Sequence, residues 1–209
     1  MASLQQLTDD VLSYLDRRDS LSRVPSWITM VETELRQTLR ARCQVVTAIQ
    51  PIDSAYVTLP PDFSTMASIR DHTTGEQLIL VDSWQHMGFA DSAGCATAYR
   101  LQADCIEFLP HPVIPTDPTG WQPQQIEMSW YASPRPLLLP ADSNPVLEQH
   151  YAVYLYGVLA HAGVFEQDAE MTSVWDTKYQ QAVTRANLEK QQSDYSGAPY
   201  VQEMSGAFF

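Results

Sequence analysis

Apolar residues open the chain at helical spacing: Leu4, Leu7, Val11 and Leu15 fall on one face. Ser3-Leu4-Gln5-Gln6 has the form of a capping box, so Ser3 is the expected helix start. The helix should stop near 17–20. Pro25 suits the first turn of a second helix, where its missing N–H costs nothing. Trp27 or Ile28, Val31, Leu35 and Leu39 then form one apolar stripe. Two short one-faced helices joined by a brief loop predict an αα-hairpin, residues 1–42, that cannot bury both stripes alone.

The period changes after Arg42. Segments 43–49 and 55–59 are rich in β-branched residues and read as a hairpin around Pro51, Asp53 and Ser54. Segments 66–70 and 77–81 flank Thr73-Thr74-Gly75, a second expected hairpin. Residues 82–90 read as a short helix capped by Asp82 or Ser83. Segments 97–102 and 105–109 flank Ala103-Asp104, a third hairpin. Ile126, Met128 and Trp130 alternate with polar neighbours, as in a half-buried strand. Before that strand, Pro110, Pro112, Pro115, Pro118 and Pro123 exclude a ladder, so 110–123 is a long loop.

Ser143 or Asn144 is the expected cap of a third helix with Pro145 in its first turn. Its centre, 151–165, is apolar on most sides and should be covered by other helices or by another copy. Asp168 caps a last helix with Glu170 near its start, striped by Val174 or Trp175, Tyr179, Val183 and Ala186, and ending near Ser193. Gly197, Pro199 and Gly206 argue against helix in the tail. The expected fold is α+β: about four helices (the hairpin plus two long C-terminal helices, 143–194, packing on it), an inserted antiparallel β-rich domain over 43–142, and an extended tail over 195–209.

With 44% hydrophobic residues in 209, the chain can build a real core. Its net charge is -13, an acidic balance that repels phosphate backbones and anionic lipid and does not suit tight DNA binding by a basic patch. Residues 1–42 sum to zero, 43–142 to -8 and 143–209 to -5. The one local basic cluster is Arg36, Arg40 and Arg42, which suits a helix C-terminus. The three cysteines, Cys43, Cys95 and Cys105, lack CxxC spacing and read as reduced thiols. The first ten residues carry neither a basic start nor an apolar run, so no signal peptide is expected, and 151–165 is too short to span a bilayer.

No catalytic or cofactor pattern stands out. Phosphate-binding glycine loops, a GxSxG elbow and an HExxH motif are absent. His150 and His161 lie three helical turns apart and cannot chelate one ion; His111 sits in the proline-rich loop. Asp9 and Asp10 point about 100° apart on a helix and do not converge. The remaining acids are scattered, several at turns. Trp84, Tyr99, Trp121, Trp130 and Tyr131 could form an aromatic platform for a glycan or receptor, or serve as core and interface anchors.

In order along the chain stand the Pro25-led helix with Trp27, Ile28 and Glu34-Leu35; Leu59-Pro60-Pro61-Asp62-Phe63; Ser143-Asn144-Pro145; Tyr154-Leu155-Tyr156-Gly157 and Leu159; Trp175 and Tyr179; and Tyr195-Ser196-Gly197. This order, with the helix–β–helix layout, resembles the head-to-tail adaptor (connector) proteins of tailed phages over nearly the whole chain. The loop 110–123 is longer than that family leads one to expect, and the tail after Tyr195 has no expected counterpart.

The resemblance implies a structural virion protein at the head–tail junction, with no enzymatic activity and no cofactor or metal, assembled in the bacterial cytoplasm. It implies a ring of generally twelve copies that binds the portal protein above and a tail or nozzle protein below, without a membrane. The ring would extend a channel through which DNA passes without specific binding. Twelve copies would carry roughly -156, a charge that lets DNA slide and not stick. On that reading Arg36, Arg40 and Arg42 meet the portal or a neighbouring copy. Tyr195, Tyr200, Phe208 and Phe209 anchor a tail that orders on docking. The alternative is a glycan- or receptor-binding tail module using the aromatics of the β-region.

Overall fold

Ser3 caps the first helix: its Oγ accepts from the Gln6 N–H at 3.3 Å, and α1 runs Leu4–Leu15 with Leu7 and Val11 buried. The helix stops at Asp16, whose backbone turns left-handed at φ 51°. A 3-10 turn, Asp19–Arg23, leads into α2, Val24–Thr38, which buries Trp27, Ile28, Val31 and Leu35. The C-terminal helices are α3, Pro145–Gln149, α4, Tyr151–Glu166, and α5, Ala169–Tyr195. The computed structural model describes residues 2–81, 94–113 and 122–195, with side chains as far as 189. These form a mixed α+β fold in two units, Met1–Cys43 with Arg135–Phe209, and Gln44–Pro134. The helix expected over 82–90 lies outside the described residues.

The third helix is not continuous, contrary to the sequence reading. His150 leaves helical geometry (φ -127°, ψ 50°) and separates α3 from α4. The break has a use. Asn144 Nδ2 donates to Tyr154 Oη at 2.8 Å, and a continuous helix would hold those two residues about 15 Å apart along its axis. Asn144 also accepts from the Leu147 N–H at 2.8 Å, capping α3, and donates to the Arg135 carbonyl at 3.0 Å. The last helix runs two residues beyond its expected end, because Tyr195 belongs to α5.

Helix α4 is the centre of the helical unit. Tyr154, Val158, Leu159 and Ala162 are fully buried among α1, α2 and α5. One copy therefore covers most of α4, so of the two covers the sequence allowed it is the other helices that supply it; the exposed large apolar residues of α4 are Val164 and Phe165, at the end of the helix. Close packing is possible because Gly157 has no side chain. A Cβ there would lie 3.0 Å from Val31 Cγ2 and 3.1 Å from Tyr179 Cε2.

The segment 135–142, read from sequence as part of the inserted domain, belongs with the helices. Leu137 is buried in their core, and its N–H donates to Glu32 Oε1 at 3.0 Å. The Leu4 and Gln5 N–H groups, orphans of the first turn of α1, donate to the carbonyls of Asp142 and Pro140, both at 2.9 Å.

In the second unit, β1 (Val45–Pro51), β7 (Gln125–Ala132) and β3 (Phe63–Asp71) make one antiparallel sheet in the order β1-β7-β3. The other sheet has the order β2-β6-β5-β4, from Tyr56–Thr58, Cys105–Leu109, Ala98–Leu101 and Ile79–Leu80. The two share a core of Ile69, Ile106, Phe108, Ile126, Met128 and Trp130. The hairpin around Ala103-Asp104 forms as expected, with Leu101 opposite Ile106. The first expected hairpin does not form: β1 pairs with β7 and β2 with β6. β-Branched content marks a strand without naming its partner.

The turn after β3 is present, with Gly75 at φ 75° and Asp71 Oδ1 accepting from the Thr73 and Thr74 N–H groups at 2.7 and 2.8 Å. Its return arm makes only the Arg70–Gln77 bridge before β4 joins β5 in parallel, so the inserted unit is mixed and not purely antiparallel.

Two measurements test this account of the helical unit. Gly157→Ala gains about 1 kcal/mol of helix propensity but forces a methyl between Val31 and Tyr179, an overpacking cost of about 1–3 kcal/mol; chemical denaturation should show net destabilisation. Burial holds the Glu32 carboxyl above its usual range, against the lowering by the Leu137 N–H and Arg36. A raised folded-state pKa means that the contribution of Glu32 is complete at low pH and declines as pH rises through that value. Glu32→Gln, which keeps an acceptor for Leu137, should therefore be more stable than the wild type at neutral pH, the gain fading toward acid pH. Glu32→Ala should lose about 1–3 kcal/mol by orphaning that N–H.

Candidate assembly interface

Several carboxylates and histidines are engaged in structure. Tyr151 Oη donates to Asp10 Oδ2 at 2.5 Å, and burial and Asp10 both push the Tyr151 hydroxyl pKa up. Asp9 points to solvent, so the pair diverges as helical geometry requires. His161 Nε2 lies 3.2 Å from Glu34 Oε1, and His150 Nδ1 lies 4.0 Å from Glu189 Oε2. Among the described residues no group of three or more His, Cys, Asp or Glu could hold a metal ion. Cys43, Cys95 and Cys105 are free, and burial pushes the Cys43 thiol up to about 11.

The densest polar cluster was not read from the sequence. Glu107 is buried at 2% exposure in β6. Its Oε2 accepts from Arg100 Nε at 2.8 Å and Gln102 Nε2 at 3.0 Å, and its Oε1 accepts from Tyr56 Oη at 3.1 Å, with His111 Nε2 at 3.4 Å. Donating to the Glu107 carboxylate pushes the Tyr56 hydroxyl pKa up. With both oxygens ringed by donors, this carboxylate is an anchor that ties β2, β5 and β6 together. Arg100 stands opposite Glu107 in the β5–β6 register, so counting outward from Ala103-Asp104 would have found the pair.

The described members of the expected aromatic platform do not present their faces to solvent. Tyr99, Trp130 and Tyr131 are buried, and Trp130 Nε1 donates to Asp62 Oδ1 at 3.3 Å. Trp84 and Trp121 lie outside the described residues, as does 114–121 of the proline-rich loop.

The three arginines of the basic cluster fall in different positions. Arg36 is exposed in the last turn of α2. Arg40 lies past the helix end, but its Nη1 reaches back to the carbonyls of Leu39 and Arg36 at 2.7 and 3.2 Å, which completes the C-terminus. Arg42 is exposed in a 3-10 turn, Arg42–Gln44. Asn187 of α5 fixes this corner: its Oδ1 accepts from the Arg40 N–H at 2.7 Å, and its Nδ2 donates to the Thr38 carbonyl at 3.1 Å. Of the expected tail anchors, Tyr195 ends α5, and Tyr200, Phe208 and Phe209 lie outside the described residues.

Exposed apolar side chains include several at turns and helix ends. Leu138 and Leu139 are 80% and 65% exposed. Val164 is 64% exposed, and Phe165 packs its ring on Trp27 (6.0 Å between centroids) and under Arg23 (4.1 Å). At the α1, α4 and α5 seam Tyr156 stacks on Trp175 and Tyr14 meets it edge-on, with Lys178 4.7 Å above the Trp175 ring.

A family model described as SU10 adaptor protein matches residues 2–202. The chain belongs to the SU10 adaptor protein family. Comparison with curated proteins finds no match. Membership makes the chain a phage adaptor, a structural virion component of a family that associates with other head and tail proteins. The match also corrects one expectation: it runs through the proline-rich loop and on to residue 202, so the first part of the tail has a family counterpart. No helix among the adaptor's described residues is long and apolar enough to cross a membrane.

Asn187→Ala should remove both bonds that pin the end of α2. Loss of about 1–3 kcal/mol on denaturation, with faster hydrogen exchange at the Arg40 amide, is the expected result.

Proposed function

We propose that this adaptor forms a ring, generally of twelve copies, between the portal and the tail, and that the ring extends the channel through which DNA leaves the head. The observation that carries the reading is the family match over residues 2–202. Three physical features support it. Net charge of -13 per copy suits a channel that repels DNA and lets it slide. Apolar side chains on ordered turns suit contacts that exclude water. Arg36 and Arg42, exposed near the end of α2, suit an acidic partner such as the portal or a neighbouring copy, with Arg40 between them. The tail beyond α5, with Tyr195 at its start and Tyr200, Phe208 and Phe209 along it, supplies docking anchors on the portal or the next copy. The portal above, the tail or nozzle protein below and the adaptor itself are then its partners.

Removing residues 196–209 tests the reading, because α5 ends at Tyr195. The truncated adaptor should melt like the full chain yet fail to join portal rings in negative-stain images. Charge reversal at Arg36, Arg40 and Arg42 together should weaken assembly more than folding. A truncated chain that still assembles on portals overturns the role of the tail. A full chain that stays monomeric beside portal and heads overturns the ring.

A further inference from the structure

Residues 137–142 form a turn built to hold two leucines in water. Asp142 Oδ2 accepts from the Leu138 and Leu139 N–H groups at 2.9 and 2.7 Å, and the Asp142 N–H donates to the Leu139 carbonyl at 2.8 Å. Leu137 is locked beneath by Glu32, and the carbonyls of Pro140 and Asp142 cap α1. The leucines are therefore fixed in place, yet they are 80% and 65% exposed. A fixed apolar knob loses little further freedom on docking, which favours a contact surface.

At the other end of the bundle lies an open cleft of about 550 Å³ at the α4–α5 corner, lined by Gly163, Val164, Gln167, Ala169, Thr172 and Asp176. It is floored by small residues and edged by exposed Val164, so it offers the knob an apolar seat. The charges match as well. Arg135, exposed, leads into the knob, whose one acid, Asp142, spends its charge on two backbone N–H groups. The cleft carries Asp176, and Asp168, whose Oδ1 accepts from the Met171 N–H.

The two surfaces cannot meet within one copy. α1 runs parallel to α4, with Asp10 at Tyr151 and Arg17 at Glu166. The knob, tied to the start of α1, lies beyond the first turn of α4, and the cleft holds its last turn, about 24 Å away along a 16-residue helix. A contact between different patches on identical chains repeats head to tail, and when the rotation closes it makes a ring.

We propose that Leu138 and Leu139 of one copy seat in the α4–α5 cleft of the next, and that this heterologous contact is the joint between neighbouring copies. The proposal rests on the ring reading and adds the surfaces that make it.

The test uses full-length wild type, the double variant Leu138→Ser/Leu139→Ser, and Ala169→Trp, which fills the cleft at an exposed position. Mass photometry, alone and with isolated heads, reports assembly state, and circular dichroism melts report folding. Wild type should form rings. Each variant should melt like wild type and self-associate about a hundredfold more weakly or worse, the scale of leaving two leucines in water. An equal mixture should form dimers and stop there, because one good knob meets one good cleft per pair. If both variants make rings as wild type does, or the mixture makes no dimers, the joint is wrong and the ring reading stands. If wild type makes no ring in either setting, both fall.

Discussion

Covering α4 is the constraint on which the helical unit depends. A helix with Tyr154, Val158, Leu159 and Ala162 fully buried must be wrapped on several sides at once. Each such side chain contributes about 1.5–3 kcal/mol when removed from water. The wrapping needs close approach, and Gly157 allows it by letting Val31 and Tyr179 sit where a methyl would be. It also needs the chain to close around the first turn of α4 without stranding polar groups. Glu32 and Asn144 do this, because they bond the Leu137 N–H, the Arg135 carbonyl and the Tyr154 hydroxyl inside the bundle. Both are polar residues with almost no exposure, and each has its partners.

Because one copy wraps its own central helix, the surface left for assembly is not the one that hydrophobic periodicity suggests. The apolar length of α4 is spent within the fold. The apolar side chains left in water include those at the end of that helix, at the start of α5 and on the turn before α3. On that turn the backbone itself holds the side chains in place. An adaptor whose copies meet through such points can fold first and assemble later, since the joint draws nothing out of the core.

Much of the helical unit was legible. Ser3, Pro25, Asn144 and Asp168 mark helix starts by chemistry that acts within four residues, so the sequence alone locates them. The stripe of Trp175, Tyr179, Val183 and Ala186 is buried as its spacing predicts. The failures share a cause. The pairing of β1 with β7, the break at His150 and the attachment of 135–142 to the helices all depend on partners distant along the chain. A local pattern states that a segment is a strand or a helix; it does not state what the segment lies against. The Glu107 anchor falls between these cases. Its link to Arg100 is a local register effect, but the approach of Tyr56 from β2 is not. Of the expected site, Arg40 proved to be committed to the end of its own helix, which its position past Leu39 would have shown had the helix end been known to the residue.

The contrast between tail and turn bears on how such a protein assembles. The tail carries Tyr200, Val201, Met204, Phe208 and Phe209 without enough sequence for a core of its own. The 137–142 turn met the cost of its ordering when the domain folded: side-chain and backbone bonds already hold it, and the end of α1 depends on it. In the proposed ring the turn and the tail would divide the work of assembly. The turn would fix the angle between copies, because a rigid knob fits one orientation, and the tail anchors would add affinity once the angle is set. If the adaptor closes a ring through the proposed joint, the geometry of that heterologous contact sets how many copies close the circle.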